Sequence, residues 1–171
     1  MITIREDIQE THTFSLLVDN EAGVLARVIG LFSGRGYNIE SLTVAEVDED
    51  SHTSRITIVS KGSPKTIDQI KRHLERLVPV HKVTDLTIEG PSVEREMALI
   101  KVLYTNESKE EILRLVEIYR AKIVDTTDKS FVFELTGAMD KINSFIDLLR
   151  PLGLKDISRT GLAAIARGSK N

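Results

Sequence analysis

Cysteine and tryptophan are both absent from the 171 residues, tyrosine occurs three times and phenylalanine five times. Without cysteine there is no disulfide framework, no thiol nucleophile and no cysteine-based metal site. A strong charge of either sign is lacking too. The 26 acidic and 23 basic residues leave a formal charge of -3, with no basic tract. With so few aromatic residues for stacking on bases, nucleic acid is disfavoured as the main partner. No apolar run approaches the roughly 18 residues of a membrane span. The first ten residues carry Arg5, Glu6, Asp7 and Glu10 instead of a hydrophobic leader. A reducing compartment is compatible, and the expected location is the cytoplasm. The sequence also lacks G-x-S-x-G, Walker A and H-E-x-x-H patterns, so it offers no catalytic constellation. His12, His52, His73 and His81 fall on unrelated predicted elements without metal-ligand spacing or an obvious carboxylate partner, and the expected metal set is none.

What is present is a soluble globular composition, 41% hydrophobic, sufficient for one domain or two small ones. Residues 1–11 form a polar lead-in in which Ile2, Ile4 and Ile8 add edge contacts. Over residues 12–18 the side chains alternate, with Phe14, Leu16 and Val18 on one side, which predicts a strand. Over residues 22–35 the period becomes helical, with Val24, Leu25, Val28, Ile29 and Phe32 on one stripe and Gly34 or Gly36 ending it. Residues 39–47 and 54–60 read as strands joined by a polar hairpin turn whose acidic run, Glu46, Asp48, Glu49 and Asp50, is expected to be solvated. Ser63 and Pro64 suit the start of a second helix with Ile67, Ile70, Leu74 and Leu77 inward. Residues 80–88 read as a fourth strand, and Gly90 and Pro91 then break the chain before the charged run 94–96.

The order then repeats. A strand over 97–104 leads to a helix over 108–119, for which Ser108 and Glu111 form a candidate capping box. Strands over about 122–127 and 130–136 follow, then a helix over 139–149 and a last strand between residues 154 and 165. The fold class expected is α+β, two tandem ferredoxin-like βαββαβ units over 12–90 and 91–171, each an antiparallel sheet with both helices on one face. Leu17, Ala45, Val47 and Val59 fall on or near the face away from the helices. The expectation is that another subunit or the second unit covers them.

The turn at residues 19–25 carries the most chemistry. A helix that starts this close to the end of a strand presents N–H groups without partners beside the positive end of its dipole, an arrangement that attracts a carboxylate. For an amino acid, backbone N–H groups from Ala22 to Leu25 would hold the carboxylate, with Gly23 allowing close approach. Asn20 and Asn38 would accept from the ammonium, and Val24, Leu25 and Ile39 would face a small aliphatic side chain. The same residues also read as ordinary turn and helix-exit positions.

The stretch DNEAGVLARVIGLFSGRGYNIESLTV resembles the opening of an ACT domain. With SRITIV at 54–59 and VEREMALIKV at 93–102 it resembles, more narrowly, the regulatory small subunit of acetolactate (acetohydroxyacid) synthase, and with the two-unit layout this likeness covers nearly the whole chain. The resemblance implies a non-catalytic subunit without a cofactor of its own. Its partner would be a catalytic large subunit using thiamine diphosphate, magnesium and FAD, which it activates and places under valine feedback. It also implies a homodimer, with the effector site at a subunit interface: Asn20, Ala22, Gly23, Val24 and Leu25 from one chain, Asn38 and Ile39 from the facing one. The second unit departs from this pattern, since Lys109 stands about where Gly23 does and Lys122 near the Asn38 equivalent. The other reading kept open is a stand-alone amino-acid sensor attached to a different metabolic enzyme.

Overall fold

The computed structural model describes residues 8–169; most of the expected lead-in, including Ile2 and Ile4, lies outside them. In the first unit the elements run β1 (Glu10–Asp19), α1 (Val24–Arg35), β2 (Ser41–Asp48), β3 (Thr53–Gly62), α2 (Pro64–Glu75) and β4 (Val80–Asp85). The sheet order is β2-β3-β1-β4, with all pairs antiparallel. Alternation in the strands aims Phe14, Leu16, Val18, Ile56 and Ile58 at one face. The helical period of α1 and α2 aims Val24, Val28, Phe32, Ile67, Ile70 and Leu74 back at it, and these residues form one buried core. Each fully buried large apolar side chain stabilises the fold by about 1.5–3 kcal/mol.

The second unit repeats the plan with β5 (Ser92–Leu103), α3 (Lys109–Tyr119), β6 (Lys122–Thr126), β7 (Ser130–Gly137), α4 (Met139–Leu149) and β8 (Leu154–Arg159). Its path, β6-β7-β5-β8, is the same order shifted along the chain. Ala98, Ile100, Val102, Phe131, Phe133 and Leu135 face Ile112, Leu115, Val116, Ile142, Phe145, Ile146 and Leu149 across its core. The mixed α+β class and the pair of βαββαβ-like units are therefore as expected.

Several local expectations change. The strand expected from Met97 starts earlier, at Ser92, and takes in the charged run 94–96. Glu96 is buried and takes two hydrogen bonds from the Arg159 guanidinium, at 2.8 and 2.7 Å. The Ser108–Glu111 capping box does not form. Ser108 is already in the right-handed helical region and its Oγ accepts from the Thr105 N–H at 2.9 Å instead. Gly36, at φ 67, rather than Gly34, closes α1. Gly153 is required between the short 3-10 turn Arg150–Leu152 and β8: φ is 108, and a Cβ there would lie 2.0 Å from the Leu103 carbonyl oxygen.

The expected single last strand is two. After β8 the chain turns at Gly161 and forms β9 (Ala163–Ala166), which pairs with β5. The chain divides into two compact units, one running to Val93 and including the segment from Leu162 onward, the other spanning Glu94–Gly161. In the first unit this final segment lies on the sheet face away from α1 and α2. Leu162 is fully buried and its N–H donates to Ser41 Oγ at 2.9 Å, while the Arg167 N–H donates to the Pro91 carbonyl at 2.8 Å. The last segment, which falls within the 91–171 unit expected from the sequence, thus supplies part of the expected cover. Val59 is buried and Leu17 half-buried, whereas Ala45 and Val47 stay exposed.

Candidate functional site

β1 delivers the chain to the start of α1 through a turn shaped by Gly23. With φ 88 and ψ -10, Gly23 has the dihedrals of the third residue of a type II turn, and the Val24 N–H donates to the Glu21 carbonyl at 3.3 Å. The Arg27 N–H donates back to Gly23 O at 3.0 Å as the helix begins. The N–H groups of Leu25 and Ala26 fall in the first turn, where no intrahelical acceptor exists. No side chain caps this helix and no acidic residue stands in its first turn. The result is an exposed, electropositive end of a 12-residue helix.

The expected site residues separate into two groups. Asn20, Ala22 and Gly23 are exposed at this turn, with the Asn20 main chain tied to the His52 carbonyl by a 2.7 Å bond. Leu25 is 37% exposed beside them, but Val24 points into the core at 6%, so its side chain is not available to a ligand at the turn. Asn38 and Ile39 follow the other end of α1. Asn38 is exposed, with its carbonyl fixed by Ser60 Oγ at 2.5 Å, and Ile39 packs partly against the core. At 1.5 Å per residue, the 12 residues of α1 hold the two groups about 18 Å apart in one chain. A single chain therefore does not gather all seven residues.

The equivalent turn of the second unit has different chemistry. Glu110 and Glu111 occupy the first turn of α3, opposing a bound anion, and Lys109 Nζ lies 5.1 Å from the centre of the Tyr104 ring. Lys122 faces Glu134 at 3.7 Å.

Two histidines do have carboxylate partners, which sequence spacing did not reveal. His12 Nδ1 is 2.7 Å from Asp85 Oδ2 inside the first unit, and His81 Nε2 is 2.5 Å from Asp19 Oδ1 at its surface. The pairs join residues 73 and 62 positions apart, so only the β1–β4 pairing brings them together. The hairpin acids are solvated as expected. Asp48 accepts from Ser51 Oγ at 2.7 Å and from the N–H groups of Ser51 and Asp50, and these bonds hold its carboxyl below the usual value. Among the described residues no cluster of three or more potential ligands could hold a metal ion, and no helix is long and apolar enough to cross a membrane.

A sheet with two helices on one face, entered through a glycine turn at an uncapped helix start, defines the class. Residues 14–82 match the family of AHAS small subunit-like ACT domains. Residues 95–168 match the small subunit of acetolactate synthase. The chain is 48% identical over 159 residues to a probable acetolactate synthase small subunit of Archaeoglobus fulgidus, covering 93% of this chain and 98% of that one. It is 46% identical over 158 residues to the acetolactate synthase small subunit of Haemophilus influenzae, covering 92% and 96%. The crystal structure of the small subunit from Thermotoga maritima superposes with a TM-score of 0.82 at 44% identity, over 94% of this chain and 99% of that one. This chain belongs to the acetolactate synthase small-subunit family.

Proposed function

We propose that the chain is the regulatory subunit of acetolactate synthase, without an active site of its own, and that it binds the catalytic large subunit, raises its activity and confers feedback inhibition by valine in branched-chain amino acid biosynthesis. On this reading thiamine diphosphate, magnesium and FAD serve the large subunit, and this chain carries none of them. The observation that carries the effector assignment is the uncapped start of α1 behind Gly23, where free N–H groups and the helix dipole suit the carboxylate of an amino acid. The exposed Leu25 beside it suits an aliphatic side chain. Asn38 and Ile39 complete the site only if a second copy brings its own α1 exit to the first copy's turn, so the assembly is a homodimer. Valine inhibits by binding one state of the complex more tightly than the other, because a ligand with equal affinity for both shifts nothing.

The test is reconstitution with the large subunit of an acetolactate synthase. Added chain is expected to raise the rate, and valine to lower it again. The shared site is tested by mixing Gly23→Asp with Asn38→Lys, which sets a cation against the ligand's ammonium. Each variant alone has two damaged sites per dimer, whereas the mixed dimer has one natural site and one doubly damaged site. Random exchange of equal amounts makes about half of the dimers mixed, so recovery of about a quarter of the valine stoichiometry supports a site shared between chains. No recovery in dimers shown to have exchanged subunits overturns it. If the chain raises the rate but valine neither binds nor inhibits, the sensor role fails while the activating role stands.

A further inference from the structure

The sheet face of the first unit turned away from α1 and α2 carries a set of side chains that the valine reading does not use. Leu17 of β1 stands opposite Arg55 of β3 on one side and Lys82 of β4 on the other, so two cations flank one leucine across three strands. At about 4.8 Å between neighbouring strands, their Cα atoms lie about 10 Å apart, a span over which two long side chains can converge on one small group. The next row is made of hydroxyls. Thr43, Thr57, Ser15 and Thr84 stand side by side across all four strands. Arg55 Nη1 donates to the buried Ser15 Oγ at 2.7 Å, and Thr43 Oγ1 is buried without a hydrogen-bond partner among the described residues.

Ile165 and Ala166 of the final segment wall this surface into a groove of about 290 Å³, with Leu17 and Leu86 as its apolar lining. It adjoins a second space of about 420 Å³ that shares Thr84, Leu86 and Ala166 and extends to Arg167. Among the described residues neither Arg55 nor Lys82 takes part in an ion pair. Glu89, in the adjoining space, is already bound by Lys71 Nζ at 2.7 Å and by the Asp85 N–H at 2.9 Å. Arg55 is half-buried and Lys82 exposed, with Glu89 the nearby carboxylate whose titration Lys82 influences, and a small anion held between the two cations is attracted by both.

We propose that this groove is a second ligand site, for a small carboxylic acid with a short aliphatic body. Its carboxylate lies between Arg55 and Lys82 and accepts from the Ser15 and Thr84 hydroxyls, while the aliphatic part rests on Leu17, Leu86 and Ile165. Guanidinium and ammonium groups at charge-assisted hydrogen-bond distance favour a carboxylate, and the apolar wall selects an organic acid over an inorganic anion. The site is separate from the α1 turn and stands whether or not valine binds there.

The experiment is a titration of the full-length chain with isovalerate, followed by amide chemical shifts, with parallel titrations in inorganic phosphate and sodium chloride. Saturable shifts are expected at Ser15, Leu17, Lys82 and Ile165, and Gly23→Asp leaves them unchanged. Lys82→Gln, at an exposed position, weakens the apparent affinity by about tenfold. Arg55→Gln does so at least as strongly, with spectral dispersion reporting that the fold persists. The proposal is overturned if isovalerate gives no saturable shift, if the shifts centre on the α1 turn, or if Lys82→Gln leaves the affinity unchanged. Equal shifts from phosphate or chloride also overturn it, since charge alone then accounts for the effect.

Discussion

Gly23→Asp puts a carboxylate where the effector's own is expected to sit. At φ 88 an L-residue carries a cost of about 1–2 kcal/mol. Beyond Gly23 itself and its two chain neighbours no atom lies within 4 Å of the added Cβ, so backbone strain is the structural penalty at that atom. Against a net stability of about 5–15 kcal/mol for a domain, the protein stays folded. Nor does the new side chain recover the loss as a helix cap, because capping uses an extended residue and Gly23 is left-handed. Its effect on the ligand is larger. A hydrogen bond to a charged group contributes about 1.5–3 kcal/mol, so a second carboxylate that repels the ligand's own from even one of its bonds to the Leu25 and Ala26 N–H groups weakens binding by about 10- to 100-fold. The assay is calorimetric titration of valine into the natural chain, Gly23→Asp and Gly23→Ala, each with a thermal melt. Alanine carries the strain without the charge, so it is expected to lose far less affinity than aspartate. Equal losses in the two variants, with matching melts, would refute the carboxylate argument. Full valine binding by Gly23→Asp would remove the turn from the site altogether.

Three further outcomes follow from the packing and the charges. Leu162→Ala deletes a fully buried side chain and is expected to cost about 2–5 kcal/mol, read as a shift in the denaturant midpoint. Glu96→Ala strands the Arg159 guanidinium, which is 32% exposed and can rehydrate in part. The expected cost is about 1–3 kcal/mol, and Glu96→Gln should recover some of it. Burial alone would raise the Glu89 carboxyl, but hydrogen bonds from Lys71 and the Asp85 N–H outweigh it and hold it below the ordinary 4.5. A carboxylate lowered in this way stabilises the fold above that value and loses the contribution as pH falls through its folded pKa. Glu89→Gln should therefore flatten the acid limb of a stability profile recorded from about pH 7 to about pH 3, by less than about 1 kcal/mol for so exposed a pair.

Local periodicity made most of the fold legible. The α4 stripe of Ile142, Phe145, Ile146 and Leu149 sets its bounds as read, and Ser63 caps α2 by accepting from the Thr66 N–H at 3.2 Å. Ser108 fits the same kind of sequence pattern, but Thr105 competes for its hydroxyl, and a motif read in isolation carries no information about the competitor. The charged start of β5 lies outside the strand expected from Met97, because only Arg159, 63 residues later, supplies the partner that lets Glu96 be buried. The candidate site was legible at Gly23, whose left-handed geometry follows from the turn. The inward rotation of Val24 was not, because the helical stripe does not say whether its first residue meets the ligand or the core. The open-face groove has no local signature in the sequence, since it depends on cross-strand neighbours and on a segment more than a hundred residues from Ser15 and Leu17.

That final segment makes the first unit discontinuous: it opens the chain and also closes it, with the whole of Glu94–Gly161 inserted between. A ribosome emits roughly 5–20 residues per second, and domains generally fold as units in the order of their synthesis. The first sheet can pair its strands early, yet it lacks Leu162 until the whole of Glu94–Gly161 has been made. Any cut between the units, whether by protease or by design, leaves the amino-terminal piece without Leu162 and the segment that follows it.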